Sequence, residues 1–452
     1  MQKNQLNIAV IGAGLTGLTT AYYLKKFGFK VQVFEKDEQA GGVIKTHRKN
    51  GFVFESGPNT GSMSQEEAAE LFEDLADDCT LEYANKSAEA RWIWMGGKWH
   101  EMEMGGIKAI TTPLFTWYDK FRILGEPFRK PGTDPNETIA DMVRRRMGKS
   151  FLRNAIDPFL SGVYAGDPEK LVTRFALPKL YWLEQNYGSF IGGSIKQKKA
   201  RKNEPPRKAN RQVFSVENGL DNLTKALVKN IGKENIKLGC KNLEVEKEGD
   251  FEYSLDGESF THVISAAGSH ALPGLFPFFP KEKLQPIEKM NYAKVTQVIL
   301  GFNNWKGIPI KSFGGLVPSA EKRDVLGILL PGSFLKNRAP ENGALLSVFM
   351  GGIKRPEMFS YSDDKIKEIA EREVREMMGL ESFEPDLMEI FRYPHAIPQY
   401  SFESEEKLQA ISDLETEFKG LTLAGNMRDG IGMADRIKQG RTIANQFAED
   451  YK

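Results

Sequence analysis

Near its start the chain runs Ile8-Ala9-Val10-Ile11, then Gly12-Ala13-Gly14-Leu15-Thr16-Gly17, then helically to Phe27, then Val31-Gln32-Val33-Phe34-Glu35. Few folds accommodate this order. The apolar run reads as a buried strand. Gly12 permits a tight turn, Gly14 lets a pyrophosphate approach the backbone, and Gly17 lets the helix lie close to the sheet; Ala13, Leu15 and Thr16 complete the turn between them. Ala21 and Leu24 continue the buried helix face. Glu35 ends the second strand, where a carboxylate meets a ribose 2′-hydroxyl. The pattern predicts a dinucleotide site. The alternative is a merely structural glycine turn.

A chain of 452 residues is long enough for two or three domains. Its net charge of +1 draws it toward no nucleic acid. Cys79 and Cys240 lie far apart, which excludes a disulfide framework and a cysteine zinc site and suits a reducing compartment. The five histidines show no metal-binding spacing, so no metal site is expected. The early strand argues against a signal peptide, and no apolar run approaches the roughly 18 residues of a spanning helix.

Further along, Gly41-Gly42-Val43 offers backbone amides to a phosphate or ribose, although taken alone the pair is better explained by an ordinary loop. Gly57-Pro58-Asn59-Thr60 is a turn with exposed donors. Ser64-Gln65-Glu66-Glu67 reads as a capping box for a helix with Ala68, Leu71, Phe72 and Leu75 inward. Arg91 to Trp99 reads as a hairpin about Gly96-Gly97. In 105–131 aromatic and basic residues alternate, which suits a membrane interface; a helical unit packed on its neighbours is the competing reading. Asp134-Pro135-Asn136-Glu137 predicts a helix start capped by Asp134, with Arg144, Arg145 and Arg146 on its solvated side. The basic stretch 196–211, with Pro205-Pro206, reads as a linker or mobile loop. Strands are expected at 262–268, 294–302, 313–318, 325–330 and 344–350, with an amphipathic helix at 363–378. The change from mixed units to regular strands predicts a second domain with its own sheet. Near the end, Leu423-Ala424-Gly425-Asn426 runs into Gly430-Ile431-Gly432-Met433 and a last helix.

A nucleotide turn at the start and a glycine-led helix at the end suggest FAD, because that helix N-terminus would stabilise an anionic reduced flavin. Four stretches are the most specific: Asp157-Pro158-Phe159-Leu160-Ser161-Gly162-Val163-Tyr164-Ala165-Gly166-Asp167-Pro168, Gly57-Pro58-Asn59, Ala396-Ile397-Pro398-Gln399-Tyr400, and Leu423-Ala424-Gly425 followed by Gly430-Ile431-Gly432. On them the chain resembles, over nearly its whole length, the protoporphyrinogen oxidases within the amine-oxidase-like flavoproteins. The resemblance implies an α/β fold with three parts. They are a Rossmann-like FAD-binding domain (1–90, 206–282, 390–452), a mixed-sheet substrate domain (91–99, 191–205, 283–389) and a helical membrane-docking domain (100–190). It further implies that Gly12 to Gly17 and Glu35 hold the ADP half of FAD. Gly42, Val43, Gly57, Pro58, Asn59, Thr60, Ile431, Gly432 and Met433 line the ribityl and ring region, and the backbone near Asn242 meets adenine. Arg91 matches an arginine for a substrate propionate, and Gly162 a glycine whose carbonyl faces the pyrrole nitrogens. Leu316, Leu326 and Phe349 match apolar positions around the macrocycle. Two departures stand out. Ser401-Phe402-Glu403-Ser404 occupies the place of a glycine-histidine pair after Tyr400, and Asn242 stands where valine is usual.

The expected activity is FAD-dependent oxidation of protoporphyrinogen IX to protoporphyrin IX, with oxygen implied as acceptor. The expected setting is cytoplasmic, on a membrane surface, and a homodimer is compatible with it. No residue stands out as a catalytic base. Oxidation of coproporphyrinogen III, with four propionates in place of two, is the nearest rival. A tetrapyrrole carrier with structural FAD and a desaturase or amine oxidase are the others.

Overall fold

The computed structural model describes residues 2–102, 112–201 and 207–452. A five-stranded parallel sheet is built in the order Ile236–Lys237, Lys30–Phe34, Asn7–Ile11, His262–Ser265, Leu421–Leu423, drawing on both ends and the middle of the chain. Its central strand is buried on both faces. Ile8 and Val10 join one core with helices Leu15–Lys26, Asp221–Ile231 and Met433–Asp450. Ala9 and Ile11 join another with helices Lys281–Glu288 and Ser404–Glu417. That is why the strand reads as an unbroken apolar run rather than an alternation. The first and last of these helices cross closely at Gly440, where an added Cβ would lie 2.8 Å from the Thr16 carbonyl.

A seven-stranded mixed sheet follows the order Leu387–Pro398, Tyr292–Phe302, Ala344–Gly351, Gly327–Leu329, Gly314–Leu316, Arg91–Met95, Lys98–Glu101. Helix Asp363–Met378 covers one face with Ile366, Ile369, Ala370, Val374 and Met377. The hairpin turn forms as expected: Gly96 and Gly97 both have positive φ, +61° and +78°, as a two-residue turn matching strand twist requires.

A helical part includes Trp117–Leu124, Ile139–Arg146, Asp157–Val163, Pro178–Tyr187 and Phe190–Ala200. The last of these packs on Pro178–Tyr187. The basic stretch 196–211 is correspondingly not a loop at its start. Residues 202–206 lie outside the described residues, and the Lys208 and Ala209 amides donate to Glu66.

Three local expectations fail for identifiable reasons. The Ser64 capping box does not form, because the helix starts at Glu66 with no side-chain cap and Glu66 is engaged by the 208–209 backbone. Thr138, not Asp134, caps helix Ile139–Arg146, accepting from the Asp141 amide, while Glu137 turns to Arg145. Arg146 is not solvated. It is fully buried, pairs with Glu126 and Glu184, and lies with Phe190 5.2 Å below its guanidinium.

Candidate functional site

The first turn has the geometry its glycines anticipate. Gly12 has φ +98°, and a Cβ on Gly17 would lie 1.9 Å from the Gly12 carbonyl oxygen, so helix and turn touch through backbone alone. A Cβ on Gly14 would meet nothing within 4 Å, leaving open space above the turn that leads into the helix at Leu15. Ala13 accepts from the Gly41 amide, which brings Gly42 to within 3.0 Å (through a notional Cβ) of the Gly14 Cα. A Cβ on Gly57 would lie 2.3 Å from the Val43 carbonyl, so the 41–43 and 57–60 turns form one cradle. Val43 is largely exposed on it, while Asn59 is buried and donates to the Gly57 carbonyl; Pro58 and Thr60 are half-buried.

Glu35 is buried at the end of its strand. One carboxylate oxygen accepts from the Ala13 amide at 2.7 Å and the other from Asp37 at 3.0 Å. Each oxygen keeps a lone pair for a further donor. The chain at 239–242 runs beside it, with the Cys240 amide bonded to the Glu35 carbonyl. Asn242 is exposed in this turn with φ +59°, a conformation asparagine tolerates and valine resists. The substitution of asparagine for valine thus suits the backbone there.

At the other end, Gly432 caps the final helix, with its amide donating to Asp435. Ile431 is half-buried and Met433 buried in the nucleotide-domain core. Arg436 donates to the Gly425 and Arg428 carbonyls, and Gln439 accepts from the Gly425 amide, which fixes the turn before the helix.

The apolar residues assigned to substrate come together. Leu316, Gly327, Phe349, Gln297 and Phe391 are successive cross-strand partners, so one row crosses five strands on a single sheet face. Gly162, on helix Asp157–Val163, faces Leu316 so closely that an added Cβ would lie 2.4 Å from the leucine Cδ2, which would have to turn aside. The Leu326 amide donates to the Phe349 carbonyl at 2.7 Å, and Leu326 and Phe349 pack beside Ala165 and Val295. Arg91 opens its strand opposite Gly314, exposed, with its guanidinium 5.7 Å from the Phe313 ring. It lies on the neighbouring strand, two positions from the residue paired with Leu316.

Gln297 joins the two sets and was not foreseen. It is fully buried, donates to the Glu55 carbonyl and Ser347, and accepts from the Gly57 amide at 3.1 Å. A lone glutamine inside the apolar run 295–302 was the signal available. Behind it, Arg338 pairs with Glu55 at 3.1 Å and donates to Ser215 and Val216. Burial raises the Glu55 carboxyl above its ordinary value, against the hydrogen bonds from Thr46 and Leu220 and the Arg338 charge.

The groups present fit a flavin dinucleotide: an open glycine turn, a buried acid with free lone pairs, and a capped helix N-terminus. Among the described residues no cluster of His, Cys, Asp and Glu suits a metal, and no helix is long and apolar enough to cross a membrane.

Comparison with known proteins agrees with this geometry. The family model of flavin containing amine oxidoreductases matches residues 15–447. The chain is 29% identical to the mitochondrial protoporphyrinogen oxidase of Nicotiana tabacum, over 97% of this chain and 94% of that protein. It is 24% identical to the coproporphyrinogen III oxidase of Bacillus subtilis (strain 168), over 98% of each. Among solved structures, a protein of Exiguobacterium sp. 255-15 aligns with a TM-score of 0.81 at 21% identity, over 99% of each chain. Cyclohexylamine oxidase of Brevibacterium oxydans IH-35A aligns at 0.71 and 14%, over 98% of this chain and 99% of that one. These likenesses at low identity speak to the fold.

Proposed function

Because the chain belongs to the flavin containing amine oxidoreductases, we propose that it is an FAD-dependent oxidase that aromatises a porphyrinogen, with protoporphyrinogen IX as substrate and oxygen as acceptor. FAD held there would supply two-electron, hydride-accepting chemistry for each of the three oxidations that turn a porphyrinogen into a porphyrin. The protein's part is to hold and orient. Gly12 to Gly17 and Glu35 take the ADP half and the backbone near Asn242 the adenine. Gly42, Val43, Gly57 to Thr60 and Ile431 to Met433 take the ribityl and ring.

The observation that carries the reading is the row from Leu316 through Phe349 to Gln297. It starts beneath Gly162 and ends on the Gly57 turn, so an apolar platform about three strand spacings wide, roughly 14 Å, leads directly to the cofactor cradle. A flat macrocycle lying on it is screened from water by helix Asp157–Val163, and orientation and water exclusion are what such a reaction asks of its protein. The exposed Arg91 guanidinium at the platform's edge offers a fork to a propionate. The Bacillus relative supports a second reading, coproporphyrinogen III, on the same platform.

The helical part serves, in this reading, as a docking surface for a membrane. Trp117, Tyr118, Phe121, Leu124 and Phe128 are all more than half exposed, on and just after one short amphipathic helix. Residues 105–111 of the expected segment 105–131 lie outside the described residues. The function is tested by anaerobic mixing with each porphyrinogen. Bleaching of the flavin with appearance of porphyrin fluorescence is expected, faster for protoporphyrinogen IX. A flavin that neither porphyrinogen bleaches overturns the reading.

A further inference from the structure

Lys407 is 2% exposed, and its ammonium makes no hydrogen bond. It stands on the inward face of helix Ser404–Glu417, one turn before Ala410, Ile411 and Leu414 enter the core. The hydroxyl of Ser404, one turn earlier on that face, is buried and unpartnered too. The Tyr400 ring lies beside it, with its centroid 4.8 Å from Nζ. The Tyr400 hydroxyl is shared between the carbonyls of Asn426 and Gly430, at 3.2 and 3.3 Å. Those carbonyls bracket the turn that delivers Ile431 and Gly432 to the head of the final helix, and Arg436 grips the same turn at Gly425 and Arg428.

A methionine would fill the lysine's space without the cost of burying an amine that has no acceptor. The amine therefore calls for an explanation other than packing. A cation over a phenol face draws electron density from the ring and makes the hydroxyl a stronger donor. We propose that Lys407 is a positioning residue for the flavin: a buried positive charge that, through Tyr400, fixes the 425–430 turn and favours the reduced, more anionic cofactor. The inference rests on assigning the 430–433 turn to the flavin ring.

Among the described residues no carboxylate pairs with this charge, and burial pushes the amine down to about 8. The charged or titratable groups acting on Tyr400 are Arg436 from the final helix, Tyr164 from the helical part and Asp429 from the turn itself. The lysine's charge is thus present below that pH and lost above it.

The test is the midpoint potential of FAD in the purified holoenzyme, measured on both sides of pH 8, for wild type, Lys407→Met and Lys407→Arg. A buried unit charge acting on a neighbouring group in a protein interior shifts an equilibrium on the order of tenfold. Lys407→Met is therefore expected to shift the reduced-to-oxidised ratio at fixed potential roughly tenfold toward oxidised below pH 8. The wild-type curve should bend near that pH, and Lys407→Arg should keep the high potential across it without the bend. Identical potentials in all three proteins overturn the inference, the more so if Lys407→Met only melts at higher temperature. Should Lys407→Met lose its flavin, the comparison of wild type with Lys407→Arg decides alone. Gly432→Ala separates the two levels. Unchanged FAD affinity and spectrum there break the flavin assignment. A change there, with silent Lys407 variants, breaks the present inference only.

Discussion

An added Cβ on Gly162 would stand 2.4 Å from Cδ2 of Leu316. The helix from the helical part and the edge of the substrate platform thus meet through a glycine and one leucine methyl. Gly162→Ala is expected to fold normally, because a leucine tip can turn aside and alanine gains up to about 1 kcal/mol of helix propensity over glycine. The displaced leucine narrows the platform, so kcat/KM for the porphyrinogen should fall on the order of tenfold. Leu316→Ala in the same chain should restore much of it. If the double variant is no better than the single one, the two residues do not shape a common surface.

Glu35→Ala is expected to loosen FAD on the order of ten- to a hundred-fold, the worth of a charged hydrogen bond of about 1.5–3 kcal/mol. The same carboxylate holds the Ala13 and Asp37 amides, so part of any effect is structural. Melting the apoprotein beside the FAD titration separates the parts. A large fall in apoprotein stability with unchanged affinity would deny Glu35 its ribose.

These first positions were legible because their chemistry is local. The Gly12 turn, the Gly96-Gly97 hairpin and helix Asp363–Met378 each depend on residues a few places apart, and their boundaries follow from the sequence. Arg338 and Glu55 are 283 positions apart, and Gln297 and Gly57 240. Nothing local announces which strand brings such partners together. The burial of Arg146 is hidden from the sequence for the same reason: its acids, Glu126 and Glu184, come from two other segments.

Arg91→Ala should raise KM on the order of ten- to a hundred-fold while leaving kcat nearly unchanged, the signature of a contact remote from the reacting carbon. Arg91→Lys should recover only part, since lysine lacks the planar fork. The Phe313 contact predicts little loss of stability from an exposed side chain. Equal losses with free and esterified propionates would remove Arg91 from the substrate.

Glu126 is buried against Arg146. Although burial raises its carboxyl, hydrogen bonds from Ser189, Phe190 and Arg146 hold it below the ordinary 4.5. A depressed carboxyl contributes stability that is full above about 4.5 and is lost as pH falls through the lower folded value. Glu126→Ala leaves a buried guanidinium short of a partner and should cost about 3–5 kcal/mol, seen as an earlier urea transition. The variant should also lose part of the wild type's acid sensitivity. An unchanged acid profile would place that sensitivity elsewhere.

On anionic liposomes the wild type should float, and a Trp117→Glu, Phe121→Glu variant should lose at least about tenfold in partition, since each ring removes roughly 150–250 Å² of apolar surface from water. Equal flotation of the two would make this helix a packing element.

The parallel sheet that carries the first glycine turn receives Leu421–Leu423 as an edge strand, and the final helix closes on Thr16 through Gly440. During synthesis the opening βαβ unit therefore emerges from the ribosome some four hundred residues before the pieces that complete it. A nascent chain halted before residue 421 has the glycine turn and Glu35 but lacks the 425–433 turn and the helix that seats it. If the 425–433 turn seats the flavin as proposed, cofactor loading waits for chain completion, and scarce flavin would leave full-length polypeptide with both ends of its nucleotide domain in place and the cradle between them open.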